Sequence, residues 1–236
     1  HTLKKKRLTV MGDIGCYTLG ALSPLDGMDT TICMGASIGT ALGMEKARGE
    51  EFAEKTVAVI GDSTFVHSGI TPLIDIVYNQ GNTTVMILDN STTAMTGHQE
   101  HPGTGLTIKN EPTTKLDLEA LVRAVGITNL QVVDPLKLDD LDRALNEELK
   151  KKEPSVIIAK RPCALLKVPE NIVTEQYYVD AELCTACKVC IKVGCTGIFF
   201  NDEENIAEFD LTNCTGCGLC PQVCKFDAIK VLEEKI

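Results

Sequence analysis

The sequence predicts an α/β protein, a doubly wound parallel sheet, followed by a small α+β domain rich in cysteine. Three observations carry that expectation. Apolar, β-rich runs alternate with stretches of one-sided helical periodicity through residues 1–160. The two central runs, 57–60 and 85–88, end in small polar clusters, and ligands of parallel sheets bind beyond the carboxyl ends of the strands. Eight of the eleven cysteines fall between Cys184 and Cys224, which marks a local site and not a general staple. With 236 residues and 44% hydrophobic content the chain has enough apolar material for two domains. The expected division is a domain over 1–160, a linker over 161–175 and a small domain over 176–236.

Residues 4–7 are a basic run that reads as a solvated helix end. A short strand over 8–11 then ends in Gly12-Asp13-Ile14-Gly15-Cys16, where two glycines suit a backbone that must approach something closely. Cys16 reads either as a small buried side chain or, with Gly15, as a cofactor contact on the rim. Residues 33–43 are small and lead into a helix ending near Gly49. The free N–H groups of Gly35, Ala36 and Ser37 at that helix start would favour an anion, and close helix-to-sheet packing through glycine is the other reading.

The strand at 57–60 breaks at Gly61-Asp62-Ser63, and the strand at 85–88 ends in Asp89-Asn90. Between them, residues 68–79 place Ile70, Leu73, Ile74 and Val77 at helical spacing, with Pro72 tolerable only in a first turn. Further on, 116–125 and 136–149 read as amphipathic helices and 129–133 and 155–159 as strands. Pro162 and Pro169 mark the linker, in which Cys163 reads as inert.

A net charge of −10 and a pI near 4.9 argue against nucleic acid as a partner. Residues 170–236 hold 12 acidic side chains against 5 lysines, a balance suited to a basic partner. No apolar run approaches membrane-spanning length and no secretory signal is visible, so the expected location is cytoplasmic, with no membrane partner. The chain starts at His1 and enters a strand almost at once, as a piece of something longer would.

The cysteines fall in two runs, Cys184-x2-Cys187-x2-Cys190-x4-Cys195 and Cys214-x2-Cys217-x2-Cys220-x3-Cys224. Three cysteines at two-residue gaps wrap one face of a [4Fe-4S] cluster, and the fourth of each run ligates the other cluster. One cluster would take Cys184, Cys187, Cys190 and Cys224, and the second Cys214, Cys217, Cys220 and Cys195. Structural zinc is the rival, but a third cysteine at the same gap fits a tetrahedral ion poorly. Two features depart from the bacterial ferredoxin spacing: the first run has four residues before its last cysteine, and Thr196 and Lys225 stand where proline usually follows. Gly197-Ile198 and Ala228-Ile229 each lead into a short strand, the repeat of a two-cluster ferredoxin-like domain.

The triplet Gly61-Asp62-Ser63, 25 intervening residues and then Asp89-Asn90 resemble the thiamine diphosphate motif, in which Ser63 replaces the usual second glycine. The resemblance implies Mg²⁺ held by Asp62, Asn90 and the Thr92 carbonyl, hard oxygen ligands that share the ion with a diphosphate. Thr96-Gly97-His98-Gln99 resembles the T-G-G-Q segment of 2-oxoacid:ferredoxin oxidoreductases. Together with GDIGCYTL, CMGAS, GDSTFVHSGI and HPGTG, it resembles one branch of them, the C-terminal portion of the indolepyruvate:ferredoxin oxidoreductase alpha subunits.

That resemblance implies cofactor contacts at Gly15, Cys16, Gly35, Ala36, Ser37, Gly61, Asp62, Ser63, Asn90, Thr92 and Thr96. It also implies oxidative decarboxylation of an aryl 2-oxoacid with thiamine diphosphate, Mg²⁺ and two [4Fe-4S] clusters, ferredoxin as acceptor and coenzyme A as co-substrate. His67, His98 and His101 read as acid or base candidates, with His67 and His98 favoured, or as structural side chains. The ylid-activating glutamate would come from the remaining domains of a longer alpha chain or from a second oxidoreductase subunit, in an oligomer. Two alternatives stay open: the same chemistry on pyruvate or another 2-oxoacid, and a ferredoxin-type electron-transfer subunit whose α/β domain only docks.

Overall fold

Six parallel strands form the central sheet of the computed structural model, which describes residues 1–166 and 175–232. They are β1 Thr9–Gly12, β2 Thr30–Thr31, β3 Thr56–Gly61, β4 Thr84–Asp89, β5 Asn129–Val133 and β6 Ser155–Lys160. Their order across the sheet is β2-β1-β3-β4-β6-β5. Register matters for the site. Gly61 lies opposite Leu88 and Asp89 opposite Lys160, so the carboxyl ends of β3, β4 and β6 emerge side by side.

Successive strand side chains alternate between two buried layers, as a sheet covered on both faces requires. Ala58, Ile60, Val85, Ile87, Val156 and Ile158 face helices α2 (Ala36–Arg48), α5 (Ile70–Tyr78) and α6 (Leu118–Ala124). Val57, Val59, Met86, Ile157 and Ala159 face α7 (Leu138–Glu148), with Leu3 of α1 (Thr2–Lys5) alongside. The helix ends follow local rules: Asp117 caps α6 by accepting the Ala120 N–H at 3.0 Å, and Gly49, at φ 90°, ends α2. A short helix, α3 (Glu50–Ala53), leads into β3.

Three expectations are corrected. The helix read over 68–79 begins earlier, because α4 (Asp62–Thr64) and a π-helical turn (Phe65–Gly69) run directly into α5. Pro72 is therefore not in a first turn; it follows the π turn, whose wider spiral eases the missing N–H and the ring's clash with the preceding turn. The buried face of α5 is Leu73 and Ile76, while Ile74 is 47% exposed. Finally, the basic run is not simply solvated, since Lys6 reaches Asn146 at 2.7 Å and Asp142 at 2.9 Å on α7. Strand β2, two residues long, carries no sequence pattern from which it could be read.

The larger compact unit comprises Thr2–Leu22 and Asp26–Cys163. The smaller consists of the described part of Ala164–Ile236 with His1 and Ser23–Leu25. Residues 161–163 continue along the end of β4, with the Arg161 and Cys163 N–H groups donating to the carbonyls of Asp89 and Asn90, both at 2.9 Å. Of the expected linker, 167–174 lies outside the described residues.

In the smaller unit, β7 (Tyr177–Val179) pairs antiparallel with β10 (Ile229–Val231), and β8 (Ile198–Asn201) with β9 (Ile206–Phe209). The internal repeat is visible as strand, cysteine run, helical turn, strand: first β7, a 3₁₀ turn (Ile191–Val193) and β8, then β9, α8 (Leu219–Val223) and β10. Each pairing joins one strand from each repeat. Among the described residues no helix is long and apolar enough to cross a membrane.

Candidate functional site

Beyond the carboxyl ends of β3, β4 and β6 lies a cavity of about 440 Å³. Eight of the eleven expected cofactor contacts line it: Gly15, Cys16, Gly61, Asp62, Ser63, Asn90, Thr92 and Thr96. Asp62 is buried and its carboxylate is held by backbone, with Oδ1 accepting the Ser63 N–H at 2.8 Å and Oδ2 the Ser91 N–H at 3.0 Å. Ser91, at φ 59°, aims the same N–H at Asp89 Oδ1, 3.1 Å away. Burial, and the Asp62 carboxylate beside it, raise the Asp89 carboxyl above its ordinary range. Asn90 Oδ1 accepts the Thr92 N–H at 3.3 Å. The serine that replaces the motif's glycine has a local partner, because Ser63 Oγ accepts the Thr93 hydroxyl at 2.8 Å.

Gly35, Ala36 and Ser37 do not line the cavity. The Gly35 and Ser37 N–H groups at the start of α2 donate to the buried carboxylate of Asp13, at 2.9 and 3.2 Å. The anion expected at that helix start thus comes from within the chain. Gly35 is required by packing: at φ 87° its Cβ would stand 2.1 Å from Ser68 Oγ. Nor are the two favoured histidines in the cavity lining. His67 is exposed on the π turn, with Nδ1 2.9 Å from Ser68 Oγ, and His98 Nε2 lies 3.9 Å from Cys163 Sγ. His101 is buried behind the cavity wall, Nε2 3.3 Å from Asp62 Oδ2.

Two cavity residues escaped the sequence reading. Tyr17 accepts the Gly61 N–H at 2.9 Å and donates to the Ile14 carbonyl at 3.2 Å, and its ring fills the space beside Gly15 and Gly61. Arg161 ion-pairs with Asp134 at 2.6 Å and brings the cavity a guanidinium. Its place at the carboxyl end of a strand, the rule that found Asp62 and Asn90, was the available signal.

In the smaller unit, Cys184, Cys187, Cys190 and Cys224 line one cavity, walled by Val179, Phe200, Ala207, Phe226, Ala228 and Ile229. Burial first, then the nearby Cys195, Cys217, Cys190 and Cys214, push the Cys220 thiol up to about 12. Cys195 Sγ accepts the Gly197 N–H and Cys224 Sγ the Ala228 N–H, both at 3.3 Å. All eleven cysteines are free. Among the described residues no three His, Cys, Asp or Glu side chains gather closely enough for one metal ion, whereas four thiols ring a cavity.

Residues 13–159 match the family model for the thiamine pyrophosphate enzyme C-terminal TPP binding domain. The chain belongs to that thiamine pyrophosphate enzyme family. Residues 207–230 match the 4Fe-4S binding domain. Among curated relatives, indolepyruvate oxidoreductase subunit IorA of Pyrococcus abyssi is 40% identical over 94% of this chain and 36% of its own length. The subunit of the same name from Archaeoglobus fulgidus is 42% identical over 92% of this chain and 34% of its own. The chain spans about a third of the length of these relatives. A solved 2-oxoglutarate:ferredoxin oxidoreductase from Magnetococcus marinus, with 2-oxoglutarate, coenzyme A and succinyl-CoA bound, shares the fold at a TM-score of 0.58. Its sequence identity is 16%, over 72% of this chain and 64% of that one.

The residues present suit the thiamine pyrophosphate domain. Asp62, Asn90 and Thr92 offer hard oxygen donors of the kind Mg²⁺ takes alongside phosphate. The cavity volume is that of a small-molecule site.

Proposed function

We propose that this chain supplies the diphosphate-binding half and the electron relay of an oxidoreductase that oxidatively decarboxylates an aryl 2-oxoacid, indolepyruvate-like in class. The observation that carries the reading is that Asp62, Asn90 and Thr92 line one cavity on a chain in which four cysteines ring another. Asp62, Asn90 and the Thr92 carbonyl would hold Mg²⁺ and through it the diphosphate. Arg161, ion-paired with Asp134, also lines the cavity, while Tyr17 fixes the Gly61 turn from which Asp62 projects. Cys184, Cys187, Cys190 and Cys224 would hold one [4Fe-4S] cluster, and Cys195, Cys214, Cys217 and Cys220 a second. Thiamine diphosphate, when bound, supplies the electron sink for loss of carbon dioxide, and the clusters carry single electrons.

Ferredoxin as acceptor, coenzyme A as acyl acceptor and a cytoplasmic setting belong to the same proposal. So does a second subunit, or further domains of a longer alpha chain, bringing the activating glutamate. The names of the similar IorA subunits and the 4Fe-4S match support this reading. The role of His67 and His98 as acid or base would require a partner surface to enclose them, since neither lines the cavity.

Anaerobic cofactor analysis tests the proposal. About eight iron and eight sulfide per chain are expected, and thiamine diphosphate should bind only with a divalent cation. Asp62→Ala should abolish that binding and leave the iron content unchanged. The longer subunit with its partners, given a panel of 2-oxoacids and ferredoxin, should prefer indolepyruvate to pyruvate and 2-oxoglutarate. An Asp62→Ala chain that still binds thiamine diphosphate with wild-type affinity would reduce the α/β unit to a docking domain.

A further inference from the structure

His101 lies in the loop that follows Asn90, and its surroundings fix both its place and its tautomer. The carbonyl of His101 accepts the Thr104 N–H and the Thr104 hydroxyl, both at 2.9 Å. The ring packs on Gly103, where a Cβ would come within 2.9 Å of Cε1. Nδ1 accepts the Gly103 N–H at 3.2 Å, so in the neutral ring the proton sits on Nε2. The side chain is 6% exposed. Nε2 is fully buried and makes no well-formed hydrogen bond, yet it points at Asp62 Oδ2, 3.3 Å away.

The two oxygens of Asp62 are consequently unlike. Oδ2 receives the Ser91 N–H and has His101 Nε2 3.3 Å away. Oδ1 receives the Ser63 N–H, and the Asp89 carboxyl also stands within hydrogen-bond reach of this carboxylate. A donor held behind a ligating carboxylate fixes which of its oxygens faces the cation.

Resting on the reading of Asp62 as a divalent-cation ligand, we propose that His101 is a positioning residue, whose Nε2–H clamps Asp62 Oδ2 and so presents Oδ1 to the cation. The geometry does not offer His101 to substrate, since it is absent from the cavity lining. The proposal differs from an acid or base role in predicting an effect on cation affinity in the absence of turnover.

The test uses the anaerobically purified chain with its iron and Mn²⁺ as the probe, titrated by electron paramagnetic resonance with thiamine diphosphate present and no oxoacid. Two variants without the donor, His101→Met and His101→Leu, should weaken Mn²⁺ binding by about 10–100-fold. His101→Gln, which keeps an N–H near the Nε2 position, should restore most of that loss. Circular dichroism and melting curves check that each variant is folded, and whichever of Met and Leu folds is the one read. Wild-type Mn²⁺ affinity in a folded Met or Leu variant overturns the proposal, as does a folded Gln variant as weak as they are. Asp62→Ala separates the two levels. If it loses Mn²⁺ while the His101 variants keep it, only the positioning role falls; if it binds Mn²⁺ as wild type does, the cation-site reading falls and takes this role with it.

Discussion

Tyr17 shows how much of the site rests on single groups far apart in sequence. Its hydroxyl accepts from Gly61 and donates to Ile14, and burial chiefly, with the Asp13 and Asp62 carboxylates nearby, raises its pKa well above the usual phenol value of 10.0. Tyr17→Phe leaves the Gly61 N–H without its acceptor, which should cost about 1–2 kcal/mol in denaturant unfolding. The pH dependence has a definite sign. A folded-state pKa raised above the unfolded value gives stability that is complete below pH 10 and is lost as pH rises beyond it. Wild type should therefore lose more stability than Tyr17→Phe over the alkaline limb, and parallel limbs would deny Tyr17 that role. Asp62 and Asn90 were legible in the sequence because a strand end followed by a polar turn is a local pattern. Tyr17 and His101 were not legible as site-builders, because the contacts that give them meaning reach 44 and 39 residues along the chain to Gly61 and Asp62. That the Gly35 and Ser37 N–H groups donate to Asp13 was hidden for a similar reason, since the contact reaches 22 and 24 residues along the chain.

At the scale of elements, periodicity found nearly every helix and strand of the sheet but misplaced one side chain, Ile74. The continuous helical run from Asp62 to Tyr78 contains a π turn, and that turn rotates everything after it relative to an unbroken α-helix. The face inferred from Ile70, Leu73, Ile74 and Val77 lies wholly beyond that turn: Ile70, Leu73 and Val77 pack on the core together with Ile76, and Ile74 is the one that stands open to solvent. Leu73→Ala should cost about 2–5 kcal/mol, since it opens a cavity in the layer between α5 and the sheet. Ile74→Ala should change stability by no more than about 0.5 kcal/mol. Equal losses in urea titrations of the two variants would restore the face read from sequence. His67, within the π turn, is exposed.

At the scale of the whole molecule, the two units are stabilised by different means. The sheet unit buries two apolar layers drawn from β3, β4 and β6 and five helices. The core of the smaller unit is Tyr177, Ile198, Ala207, Cys220 and Ile229, with Cys190, Cys195 and Cys224 packed against it. Val179, Ile191, Phe200 and Phe209 complete it, so four of its twelve side chains are cysteines that the proposed clusters would ligate. A domain of about 60 residues buries only about 60% of its chain's surface and is marginal on apolar burial alone. Metal–sulfur bonding in such a unit is folding energy, because the ligands are gathered only in the folded state. Removing iron with a chelator under anaerobic conditions should therefore release the amides of Ile198–Asn201 and Ile206–Phe209 to hydrogen exchange, while those of β3, β4 and β6 stay protected. Mass spectrometry of the exchanged peptides reads both at once. Protection of β8 and β9 that survives complete loss of iron would show that the apolar side chains hold that unit together unaided.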